Sequence, residues 1–383
     1  MHILKKFLIL VIVLITIFII YNLLKTRKAI KIQAELEKNK RSIEGFGEEE
    51  ISNLKAFDTP ISISAIQEKY LDLPLREFIV KSSYNSAISG DYANKEAIRV
   101  LLERGVRLLD FEIYTTSNNI EYISYSKEAD FTMDTLNTDA ERLSFAAAME
   151  TVNAYSFIMP SPSPNDPLFL LLRVKNNFQK TELQAIYKRI TYILKVSFPQ
   201  RLHQGEVNGS TILKDIMGKV VVIFDTENKL PNYDELCKSG NHECSDIYPL
   251  VNIPANISGG LPIYNYEDVT TKSHEPVMQE RDGYGTTIAT FAMVTPPVDD
   301  VIQLPNPNDV IRSFYPQFLL YKFYIKTANL EEYENIFNNG KSSFVPISSY
   351  LIANTQKGKT PDKNTTKSSI VKKNAGPLSF KFW

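Results

Sequence analysis

Cysteine and histidine are scarce: 383 residues hold two of the first and four of the second, with a single tryptophan. Two cysteines exclude a disulfide framework. Cys237 and Cys244 flank "KSGNHE" and allow one loop bridge in an oxidising compartment. With His242 and Asp246 nearby a metal site can be imagined, yet a structural zinc wants four Cys or His ligands and this loop has three. A basic surplus is missing too: 43 Lys and Arg against 44 Asp and Glu leave a net charge of -1. That balance excludes a surface built for nucleic acid. No internal repeat is visible.

What is present is a globular composition, 43% hydrophobic and 23% charged, in a chain long enough for one large core or two modest ones. After a short segment, 1–6, comes "FLILVIVLITIFIIYNLL", Phe7 to Leu24. An apolar run of about 20 residues at ~1.5 Å per residue spans a hydrocarbon core of ~30 Å. No small-residue cleavage site follows, so the run reads as an uncleaved single-pass anchor rather than a signal peptide. Lys25, Arg27, Lys28 and Lys31 follow it and favour a cytoplasmic body. The sequons at Asn208, Asn256 and Asn364 point the other way, and the side stays open. Residues 25–59 read as a helical stalk, and the body as 60–353.

Within the body, β-rich runs alternate with helical patterns. The runs are "FIVKSS", "VRLLDFEIY", "EYISYS", "LFLLLRV", "KVVVIFD", "TIATFAMV", "FLLYKFYI" and "SSFVPISSY". Helices are expected over Asn94–Arg104, closed by Gly105, over Asp139–Ala154 and over Lys180–Val196. Eight strands with helical crossovers are the count of an α/β (β/α)8 TIM-type barrel. Residues 230–285 read as a polar insertion between the fifth and sixth strands, overhanging the carboxyl-end face. The tail, 354–383, holds many lysines and ends "PLSFKFW". It reads as a solvated basic extension, with contact to anionic lipid or a partner as the alternative.

"LREFIVKSSYNSAISGD" followed by "NKEAIRVLLERGVRLLDFEIY" resembles the start of the X region of phosphoinositide-specific phospholipase C. There a strand ends in Ser-Ser-His-Asn-Thr and a helix leads into an Arg-x-Leu-Glu-x-Asp strand. "DPLFLLLRVKNN" and "STILKDIMGKVVVIFD" fit later blocks of that region, so 74–226 is covered. Residues 305–352 resemble the barrel-closing Y region more faintly.

The resemblance implies two catalytic histidines, one a general base and one a general acid, each effective because imidazole titrates near neutrality. Here Tyr84 and Tyr125 stand at those positions, and an unperturbed phenol titrates near 10. The family's calcium ligands fall on Asn85, Asp110, Glu112 and Arg173. Asp110 and Glu112 lie two apart on a strand, so they share a face, expected to be the barrel interior with Val106 and Leu108. Two inward carboxylates repel unless a cation joins them. Arg173 is expected to replace calcium by pairing with one or both, leaving no metal and no cofactor. Bacterial relatives in the family also dispense with calcium by using an arginine.

The leading expectation is a membrane-anchored barrel without phospholipase turnover, kept as a binding or structural module. Arg173 and Lys175 persist where the family binds phosphate, so an anionic phospholipid or inositol phosphate head group is the expected ligand. One alternative is an active phosphoric diester hydrolase using His242 or His274 from the insertion as a replacement base. Another is a structural protein of a viral membrane, suggested by the Asn, Ile, Lys and Tyr bias.

Overall fold

The computed structural model describes residues 60–357 except 127–131, 139–140, 176–179, 227–246, 257–259, 267–268, 270–277, 282–284, 289–290 and 298–303. The expected anchor (7–24), stalk, Cys237, Cys244, His242 and His274 lie outside the described residues, as does the expected tail from 358 on; residues 354–357 instead close the helix Ile347–Lys357. Among the described residues no helix is long and apolar enough to cross a membrane.

Eight parallel strands form the barrel: β1 Phe78–Ser83, β2 Leu108–Thr115, β3 Leu168–Val174, β4 Val220–Asp225, β5 Ile253–Ala255, β6 Ile263–Asn265, β7 Met293–Thr295 and β8 Phe318–Tyr321. Each strand from β1 to β4 pairs with the next, β6 pairs with β7, β7 with β8, and β8 returns to β1. Between β5 and β6 the ring is completed by a single parallel bridge, Ala255 to Leu261. Alternation sorts the side chains into two cores. Phe78, Val80, Leu108, Phe169, Leu171, Val221, Ile223, Phe318 and Leu320 fill the interior. Ile79, Leu109, Phe111, Leu170, Val222 and Leu319 face the helices. Leu108 is inside as expected, but Val106 packs in the outer layer.

The count of eight holds, yet its membership differs from the sequence reading. "EYISYS" is not a stave: Glu121–Ser124 folds back antiparallel on β2. The turn between them is only a few residues, whereas a parallel crossover needs a dozen or more. In "SSFVPISSY", Phe344–Pro346 pairs antiparallel with the amino half of β1, a wedge between β1 and β2, and the chain is helical from Ile347. The missing staves, β5 and β6, both lie inside the supposed insertion 230–285. "TIATFAMV" is split between a hairpin strand, Gly285–Ile288, and β7.

Helix α1, Lys95–Glu103, is capped by the Asn94 side chain, which accepts from Ala97 N at 2.7 Å. It is closed by Gly105 in the left-handed region at φ 79°. Helix α2, Phe145–Ser156, begins later than expected because Leu143 and Ser144 are held extended against the strand 121–124. Ser144 then caps it. Helix α3, Lys180–Ser197, matches its expected span. Helices α4, Pro307–Phe314, and α5, Ala328–Gly340, start on the caps Asn306 and Thr327.

Two buried cations brace the frame. Lys81, on the outer face of β1, donates to Glu334 of α5 at 2.7 Å and to the Arg104 carbonyl at 2.6 Å. Burial pushes the Lys81 ammonium below its usual range, and Glu334 opposes this. Beside it the Tyr333 hydroxyl accepts from Ser82 N and donates to Leu319 O, both at 2.8 Å, stapling β1 to β8. At the amino end, Arg107 donates to Ser163 Oγ, Ser161 Oγ and the Ser156 carbonyl, all neutral acceptors. Burial lowers its pKa to about 10, with Asp166 opposing. Burial raises Asp166 to about 6, with Arg107 opposing. Asp166 also accepts from Ile66 N at 3.2 Å and so holds the strap that leads into β1.

Glu334 also accepts from Arg104 Nε at 3.2 Å, so replacing it by leucine takes the carboxylate from two buried cations, which costs about 3–5 kcal/mol. Urea titration should show that loss, and Lys81→Met in the same chain should recover only the part that falls on Lys81. The raised Asp166 pKa means the native state holds this proton more tightly than the unfolded chain. Its stabilising effect is complete below about pH 4 and is lost as pH rises to about 6, a span worth up to about 3 kcal/mol. Asp166→Asn should flatten that fall; parallel curves for the two proteins would refute the assignment.

Candidate active site at the barrel mouth

The carboxyl ends of β1, β2 and β3 bring the resemblance's site residues together. In the parallel register Glu112 stands opposite Arg173 and Asp110 opposite Leu171. The period of two aims Asp110, Glu112 and Arg173 into the barrel. Asn85, just past β1, adopts a left-handed φ of 45°, a conformation Asn tolerates better than most residues. Its backbone N donates to Asp110 Oδ2 at 2.9 Å. Ser86 ties the same turn to β2, accepting from Asp110 N at 2.8 Å.

Arg173 is the centre of the cluster. Its Nε and Nη2 donate to the two oxygens of Asp110, each at 2.7 Å, in a bidentate fork. Nη1 donates to Glu112 Oε1 and lies 3.5 Å from the Tyr84 hydroxyl, and Nη2 donates to Asn85 Oδ1 at 2.8 Å. A guanidinium has five N–H groups, and these five contacts engage them all. The ion pair therefore joins both carboxylates, not one. The Tyr84 ring lies under the guanidinium, 4.7 Å from centroid to Cζ. Glu112 is held from its other oxygen by the Tyr114 hydroxyl at 2.9 Å and by Ser126 N.

Electrostatics follow from burial. Burial opposes the charge of Arg173, but Asp110 and Glu112 outweigh it and hold its pKa well above the usual range. Burial pushes the Asp110 carboxyl up, against the pull of Arg173. Burial likewise drives the Tyr84 phenol far above its ordinary value, only partly offset by Arg173. That direction keeps the Tyr84 phenol protonated near neutral pH. Tyr125 lies beside the cluster: its hydroxyl donates to Asp91 at 3.0 Å, and Tyr324 neighbours Tyr84, Tyr125, Glu112 and Asn85. Lys175 follows β3, its backbone N donating to Ile113 O. Among the described residues the single histidine, His203, sits at the opposite end, its N donating to Val220 O at the start of β4.

Sequence reasoning missed Lys322. It is 2% exposed, and its ammonium lies 5.9 Å from the Tyr84 ring centroid. Two cations and two carboxylates thus surround one phenol. The signal was present in "FLLYKFYI", where Lys322 continues the inward phase of Phe318 and Leu320. The calcium that the resemblance implies does not fit these residues. The point on which Asn85, Asp110 and Glu112 converge is filled by a guanidinium, and no group of three metal-ligating side chains is poised for an ion among the described residues.

No protein-family model matches the chain, and no curated protein matches it significantly. Solved structures do. PLC21 of L. pealei aligns with 72% of this chain at 15% identity and TM-score 0.51, and PLC21 of S. officinalis with 72% at 15% and TM-score 0.50. The chain spans 37% of the length of each. A calcium-dependent phosphoinositol-specific phospholipase C from Pseudomonas sp. aligns with 75% of this chain and 100% of its own, at 13% identity and TM-score 0.47. At these identities the likeness is one of fold: the chain has a phospholipase C-like TIM barrel.

Proposed function

We propose that this chain is a membrane-anchored phospholipase C-like barrel that does not turn over phosphodiesters and serves as a structural or lipid-associated module. One observation carries the reading. All five guanidinium N–H groups of Arg173 are engaged by Asp110, Glu112, Asn85 and Tyr84, so none is left for a phosphate. In this reading Arg173 takes the place of the cation, and Tyr84 takes the place of an acid–base group without its chemistry. Any residual affinity for an inositol phosphate or phospholipid head group falls to Lys175 and Lys322. Residues 7–24 supply the anchor by their length and hydropathy.

The test uses the full chain in mixed micelles containing phosphatidylinositol, with and without calcium. No release of inositol phosphate above the protein-free rate is expected, and release under either condition would overturn the reading. Arg173→Met keeps bulk but strands two buried carboxylates. It should lower stability by about 3–5 kcal/mol, read by denaturant titration at neutral pH, without creating turnover. A variant as stable as the wild type would show that the cluster is not what seals the mouth.

A further inference from the structure

The amino end of the barrel carries an exposed apolar patch that the proposed function does not use. Ile158 and Met159, in the loop after α2, are 59% and 77% exposed; Tyr192 and Val196, on α3, are 69% and 60% exposed. Both helices run back against the strands, so both C-termini reach the amino-end rim. The two pieces are adjacent: the Arg201 guanidinium, just past α3, stacks on the Phe157 ring at 4.1 Å. Isolated exposed apolar residues are ordinary, but a group of four at one rim marks a surface that something covers.

Charge narrows what covers it. From Leu183 to Gly205 the chain has no acidic residue, while Lys188, Lys195 and Arg201 are basic; Arg189 is neutralised by Glu121 at 2.7 Å. Lys188 and Lys195 are exposed on the same stripe as Tyr192 and Val196. An aromatic and aliphatic face rimmed by lysines is the composition of a helix that lies on an anionic bilayer. At the other end the exposed Leu136 has acidic company instead: its N donates to the Asp91 carbonyl, with Asp134 two residues away.

Connectivity points the same way. The described chain begins as a strap across the amino-end face. Ser62 donates to Asn338 O, Ser64 to Lys341 O, and Ile66 to Asp166, in the loop that bears Ile158 and Met159. The preceding 59 residues, with the apolar run Phe7 to Leu24, therefore join the body at this end.

We propose that the amino-end rim formed by Ile158, Met159, Tyr192 and Val196 docks on an anionic lipid bilayer, with Lys188 and Lys195 against its head groups. The barrel then sits with Arg173 and the mouth turned away from the membrane. The connectivity argument rests on the anchoring reading above; the patch and its charge do not.

The test places a fluorophore at Met159→Cys, Val196→Cys or, as a mouth-side control, Asn118→Cys, each in full chain carrying Cys237→Ser and Cys244→Ser. The chains are reconstituted into phosphatidylcholine vesicles with and without phosphatidylserine, and a lipid-borne quencher is added. Positions 159 and 196 should be quenched several-fold more than 118, and more with phosphatidylserine present. Lys188→Glu with Lys195→Glu should abolish the phosphatidylserine-dependent part. Equal quenching at all three, stronger quenching at 118, or none at 159 and 196 would overturn the proposal, including docking of a protein on this rim instead. Alkaline extraction of the same vesicles separately reports whether residues 7–24 anchor the chain, so the two failures are distinguishable.

Discussion

The bonds between the Arg173 guanidinium and the carboxylates of Asp110 and Glu112 decide what the barrel mouth is. Parallel pairing of β2 with β3 brings three ionised groups inside the barrel, where water cannot solvate them. Neither carboxylate is tolerable there alone, and a guanidinium is one of few groups that can hold both with directed hydrogen bonds. The turn at Asn85, the Ser86 link to β2 and the Tyr114 hydroxyl all serve that arrangement. A mouth organised in this way is stable because its donors and acceptors are matched to one another.

Three of the buried cations are handled in three ways. Arg173 is neutralised by two carboxylates. Lys81 is neutralised by one and fastens α5 to β1. Arg107 is surrounded by serine hydroxyls and carbonyls, with Asp166 acting at a distance. The first ties β2 to β3 at the carboxyl end, the second locks the outer layer, and the third organises the amino-end loop between α2 and β3.

Much of this was legible in sequence where the period of two applied over a long strand. β2 and β3 are eight and seven residues long, so "VRLLDFEIY" and "LFLLLRV" fixed the inward phase of Asp110, Glu112 and Arg173. β5 and β6 have three residues each, too few to show alternation. Pro254 and the polar surroundings hid them further. The antiparallel strands 121–124 and 344–346 were mistaken for staves because composition marks a strand without marking its direction. Tyr125 is tied to the site by the resemblance alone; no sequence pattern links its hydroxyl to Asp91, the acceptor it meets in the structure. Lys322 lies outside the X-like region, and in "FLLYKFYI" only the inward phase it shares with Phe318 and Leu320 marks it.

The staple made by the Tyr333 hydroxyl joins residues 251 apart in sequence. During synthesis the first stave therefore leaves the ribosome long before its closing neighbour exists. At roughly 5–20 residues per second, the interval is on the order of 10–50 s. Throughout it the apolar inner face of β1 has no β8 beside it, and the nascent chain presents an open, unpaired edge of the kind chaperones recognise.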